Sequence, residues 1–188
     1  MKKMWFVAGV VFAIVVLVAR FESGHIPNFV PIGAFAVWAG AYLGKRMAAF
    51  FVLVTLAVSD LFLGGYAWQI MATVYFATLL YVAFGIAVRR FRGTWPQTAI
   101  APFVGALAGS TLFFFLTNGA VWLFGGYYPK TVPGLGLCLA AGLPFFRNSV
   151  LGDVYGIGIF FGTSVACAVI AALYRKEAAQ QTGFCSRS

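Results

Sequence analysis

Long apolar runs follow one another along almost the whole chain, and they decide what it can fold into. They cover residues 4–19, 33–44, 47–63, 68–88, 98–124 and 149–174. A helix needs about 20 apolar residues to cross the hydrocarbon core of a bilayer, with a working range of roughly 17–25. The chain is 62% hydrophobic and 9% charged, against roughly 45–50% and about 25% in soluble domains. That is the composition of a multi-pass membrane protein. The expected fold class is an all-α integral membrane protein, a six-transmembrane-helix bundle. Residues 1–174 make a single transmembrane domain and 175–188 a polar cytoplasmic tail, which leaves no length for a soluble catalytic domain. The 33–44 run has only 12 residues, too few to cross unless it thins the bilayer or borrows Pro31 and Ile32. Residues 133–146 are apolar but contain Pro133, Gly134, Gly136, Gly142 and Pro144. They read as a short interfacial or re-entrant helix before the last span, since such residues at membrane depth are tolerated where protein surrounds them.

The basic residues sit between the runs and set the topology. With six crossings and the N-terminus inside, ten of the thirteen fall on the cytoplasmic side: Lys2, Lys3, Lys45, Arg46, Arg89, Arg90, Arg92, Arg175, Lys176 and Arg187. Arg20, Lys130 and Arg147 fall outside with Glu22, Asp60 and Asp153. Excess Lys and Arg mark cytoplasmic loops, so both termini are expected in the cytoplasm. The net charge of +9 is thereby a topology signal, and no nucleic-acid partner is expected. Lys2 and Lys3 before an apolar stretch also resemble a signal peptide, but Leu17 stands where a cleavage site before Arg20 wants a small residue.

Several chemistries have no support. Cys138, Cys167 and Cys185 show no C-x-x-C spacing and no neighbouring histidine, so neither a disulfide framework nor a metal site is expected. There is no phosphate-binding G-x-x-x-x-G-K-[ST] loop, no H-E-x-x-H and no G-x-S-x-G, so no enzyme is expected and no cofactor is called for. Transport, if it occurs, must draw its energy from elsewhere.

Polar groups gather in one layer near the outer rim. Asp60, Asn118, Trp122, Arg147, Asn148 and Asp153 lie within roughly 10 Å of one another in height at about 1.5 Å per residue. On the last span Asn148, Gly152 and Tyr155 follow helical spacing, with Ser149, Asp153 and Gly156 beside them. Two readings stand. The layer lines a pocket for a small solute, with Asn118 bonding it, Trp122 stacking on it and Arg147 meeting an anionic group. Alternatively it only fixes helix packing, with Asn148 or Ser149 capping a helix, Asp153 in its first turns, and Arg147 paired with Asp60 or Asp153. The outer loop carries His25 and Asn28 and is a possible lid. Gly9 and Ala13 offer small-xxx-small spacing in the first span for close helix approach, within the bundle or to a partner.

The strings Asn28-Phe29-Val30-Pro31-Ile32-Gly33-Ala34, Ser59-Asp60, Thr117-Asn118 with Trp122, Tyr128-Pro129, and Leu143-Pro144-Phe145-Phe146-Arg147-Asn148 with Gly152-Asp153 look like an uncharacterised bacterial family of membrane transport proteins. That family resembles the substrate-binding S components of energy-coupling-factor vitamin transporters. The likeness covers residues 26–174. It implies a small six-helix protein that binds a ring-containing solute, a vitamin or cofactor precursor, near the outer face. It also implies docking through the first helix onto a transmembrane coupling protein that works with ATPase subunits, all within membrane lipid.

Overall fold

The computed structural model describes residues 2–22, 27–65, 67–91 and 95–185. The elements are α1 (Lys2–Glu22), α2 (Ile32–Tyr42), α3 (Lys45–Leu63), α4 (Trp68–Val88), a 3-10 turn (Arg89–Phe91), α5 (Trp95–Phe124) and α6 (Val132–Cys185). Among the described residues there is no strand. Five of the helices are long and apolar enough to cross a membrane, while Ile32–Tyr42 is apolar but short.

Side-chain registers show that the helices alternate in direction. Trp5 meets Tyr42 and Phe12 meets Trp38, so α1 and α2 are antiparallel. Phe6 meets Phe51 and Phe21 meets Phe62, so α3 runs with α1. Gly33 faces Tyr81 and Gly40 faces Val82 and Ile86, so α4 runs with α2. Gly105 lies against Val88 and Gly109 against Tyr81, which reverses α5 relative to α4. The alternation brings Lys3, Lys45, Arg46, Arg89 and Arg90 to one end of the bundle, the basic end, and Arg20 and Asp60 to the opposite end.

The short α2 is the axis of the molecule. It touches all five other α-helices, and every residue from Gly33 to Ala41 is buried. A helix apolar on all sides belongs inside. Protein rather than lipid surrounds it, so its 11 residues need not match a bilayer. Close approach to α4 depends on two glycines. A methyl group at Gly40 would overlap the Val82 carbonyl, and one at Gly85 the Val37 carbonyl. Phe12, Phe35, Trp38 and Phe160 interlock around α2, and the buried Trp38 Nε1 donates to Ser164 Oγ at 2.8 Å.

The separate interfacial helix expected over 133–146 is instead the first part of α6, which continues without a break through Pro144 to Cys185. At about 1.5 Å per residue its 54 residues make a rod of about 80 Å. Packing against α5 carries it past the proline: Gly142 seats Asn118, Phe146 meets Phe114 at 5.0 Å between ring centroids, and Ser110 reaches Asp153. The polar end beyond Tyr174 continues as helix as far as Cys185.

Candidate functional site

The N-terminus of α2 lies inside the bundle, and its residue at the capping position is Pro31, with no side-chain cap. The first N–H groups of a helix lack intrahelical acceptors, and the helix dipole makes that end positive. Asp153, 3% exposed, supplies the missing acceptor from α6. Its Oδ1 accepts the Ala34 N–H at 2.8 Å and its Oδ2 accepts the Ser110 hydroxyl at 3.0 Å. The Gly33 N–H and the Tyr81 hydroxyl are also directed at this carboxylate. One side chain therefore ties α2, α4, α5 and α6 together. Gly33 has to be glycine here, because a Cβ would overlap both the Tyr81 ring and the carboxylate.

Beside this carboxylate is a cavity of about 70 Å³. Arg20, Asn28, Thr78, Tyr81, Ser149 and Asp153 line it. A few water molecules fill such a volume, at about 10–15 Å³ for each in this measure. Arg20 links it to a second cluster: its guanidinium pairs with Asp60 at 3.0 Å, and the Tyr75 hydroxyl donates to the other Asp60 oxygen at 3.0 Å. Residues 27–31 form the roof. Asn148 Nδ2 donates to the Pro27 carbonyl at 2.9 Å, Phe29 meets Tyr155 edge-on, and Val30 is buried over Gly152. Asn28 turns the roof at φ 61°, a left-handed conformation that asparagine tolerates better than most residues.

The residues expected to share a site thus divide. Asp153 and Asn28 line the cavity, Asn148 holds its roof, and Asp60 joins it through Arg20. Asn118 and Trp122 belong to the seam between α5 and α6. Asn118 donates to the Phe114 carbonyl at 2.8 Å and abuts Gly142; Trp122 Nε1 donates to the Pro129 carbonyl at 2.8 Å, and the Lys130 ammonium caps the Trp122 carbonyl. Arg147 is exposed and pairs with neither aspartate; Arg20 holds Asp60 instead. The reason is angular, since six helical residues place Arg147 roughly 240° around α6 from Asp153. Tyr155 also points outward, at 63% exposure. Gly9 is buried against Leu43 and Phe51, and the half-buried Ala13 packs on the same core. His25 lies outside the described residues.

Sequence reasoning missed Arg20, Tyr81, Thr78 and Ser110. One signal was available: Tyr75, Thr78 and Tyr81 form a hydroxyl stripe three residues apart on a mostly apolar helix, and residues so spaced share a face.

No curated protein and no solved structure matches the chain. A family model matches residues 1–176, nearly the full length, and on that match the chain belongs to DUF6580, a family of unknown function.

Proposed function

We propose that this is a six-crossing bacterial inner-membrane protein, with both termini in the cytoplasm, that binds a small solute from the outer side for uptake. The solute would enter the cavity under residues 27–31. One observation carries the reading: a buried carboxylate and a polar cavity meet at the N-terminus of a half-length helix, beneath a non-helical roof. Transporters place solute sites at such interrupted helices, where backbone donors and the positive dipole end face a cavity. The roof covers the end where the basic residues are scarce, the outer end by charge. Binding pockets span about 300–1,000 Å³, so a ring-containing solute of the vitamin class requires the roof to lift from its present cavity of about 70 Å³. The roof is suited to this, being non-helical; among the described residues it is tied down by the Asn148–Pro27 hydrogen bond, the Phe29–Tyr155 ring contact and the packing of Val30 and Pro31 on Gly152 and Gly156. The energy would come from a coupling protein with ATPase subunits, as the S-component likeness implies.

A second reading is favoured by the cavity's small size and by how fully its aspartate is bonded: the polar layer only joins helices. Native mass spectrometry with absorption spectroscopy of the gently purified protein separates the two. The uptake reading expects a small molecule to co-purify and to be lost from Thr78→Val, a shape-conserving change in the cavity wall. A wild-type protein that carries no small molecule and takes none up after Asn148→Ala loosens the roof supports the packing reading.

A further inference from the structure

At the basic end, α4 and α5 leave a groove of about 440 Å³ between them. Ala87, Ala101, Gly105 and Ala108 hollow it, and Phe84 and Phe91 wall it. It runs from Ile100 to Ala108, about 12 Å along α5 at about 1.5 Å per residue. Its face is open, with Ile100 and Val104 each 59% exposed. Because both helices are long and apolar enough to span, this trough opens onto acyl chains.

The mouth of the groove differs chemically from its floor. Phe91 ends the 3-10 turn that begins with Arg89 and Arg90, both exposed. No aspartate or glutamate occurs between residues 61 and 152, so nothing on α4 or α5 offsets these two guanidiniums. An apolar trough leading to paired arginines complements an amphiphile with a hydrocarbon tail and an anionic phosphate, which guanidinium binds through parallel hydrogen bonds. We infer that the α4–α5 groove is a binding site for one anionic phospholipid, with an acyl chain along Ala87 and Gly105 and the phosphate on Arg89 and Arg90. Small residues make the concavity, so the site is shaped for a chain and is more than a charged rim.

The test uses the full chain in detergent with an equimolar mixture of phosphatidylglycerol and phosphatidylcholine, read by native mass spectrometry. Phosphatidylglycerol is retained in preference by on the order of tenfold, from two arginines at the surface. The R89Q/R90Q protein loses that preference, while K45Q/R46Q, a second basic pair at the same end but outside the groove, keeps it. Ala87→Phe fills the trough from an exposed position and lowers retention of both lipids. Equal retention of the two lipids by the wild type overturns the inference. So does an equal loss of preference in K45Q/R46Q, which makes the effect a diffuse field. An unchanged Ala87→Phe overturns the acyl seat, and a lipid-free dimer that Ala87→Phe disrupts assigns the groove to a second copy instead.

Discussion

Asp153 on α6 accepts a hydrogen bond from the Ala34 backbone N–H at 2.8 Å, across 119 residues of chain. The contact explains how a helix can begin inside a membrane bundle with no capping side chain of its own. A helix start leaves N–H groups unpaired, and each unsatisfied group in a dry interior costs several kcal/mol, as an order of magnitude. A carboxylate delivered from another helix meets that need and binds the two helices in one step.

Replacing Asp153 tests this capping role. Asp153→Ala leaves the Ala34 N–H without its acceptor, while the Ser110 hydroxyl keeps the Ala106 carbonyl, and a buried group so orphaned costs about 1–3 kcal/mol. Asp153→Asn keeps one carbonyl oxygen and is expected to lose less. Thermal unfolding in detergent should rank wild type above Asn and Asn above Ala. Equal stability for all three would remove the trans-cap from the account.

Gly33→Ala is expected to destabilise by about 1–3 kcal/mol, the usual cost of overpacking a filled core. The added methyl overlaps the Tyr81 ring and the Asp153 carboxylate. A double-mutant cycle with Tyr81→Ala checks the cause, because removing the ring should relieve much of the penalty and give a coupling of about 0.5–3 kcal/mol. Additive losses would place the strain elsewhere.

The extent of each crossing was easier to read from sequence than its partners. α4 begins and ends where the apolar run does, at 68 and 88, because a glycine pair precedes it and arginines follow it. Residues 133–146 read as a separate helix because they carry prolines and glycines, which break isolated helices, and end before Arg147 and Asn148, but Gly142 and Phe146 are packed against α5. The polar layer was visible as depth. Its pairing was not, because a height along a helix axis says nothing about the face. Arg147 and Arg20 are both at the outer end by charge count, and only the fold shows that Arg20 turns toward Asp60. Ala34 could not have been found at all, since it contributes through its backbone.

The Arg20–Asp60 pair should show the asymmetry of desolvated ion pairs. The two side chains are 19% and 9% exposed, so water screens them only partly. Breaking a buried pair from one side costs about 3–5 kcal/mol, whereas replacing both partners with apolar residues is often neutral; partial exposure brings the expected single-variant loss here to about 1–3 kcal/mol. Arg20→Met/Asp60→Leu should therefore unfold at a higher temperature than either single variant. A double variant worse than both would mean that Arg20 also stabilises the fold through contacts other than Asp60.

Roof movement can be read with a cysteine. Val30 is 9% exposed within the roof, with its backbone against Gly152, so Val30→Cys in a protein whose native cysteines are replaced by alanine should react slowly with a membrane-impermeant maleimide. The roof is tied to α6 by the Asn148 amide and the Pro27 carbonyl. Removing that bond with Asn148→Ala loses about 0.5–1.5 kcal/mol of tethering, which corresponds to a roughly two- to tenfold rise in labelling rate if opening precedes reaction. Because the reagent cannot cross the bilayer, labelling of intact cells also reports the side on which the roof lies. Fast labelling without the Asn148 change would show that the roof is already open, and labelling seen only after cell disruption would invert the bundle in the membrane.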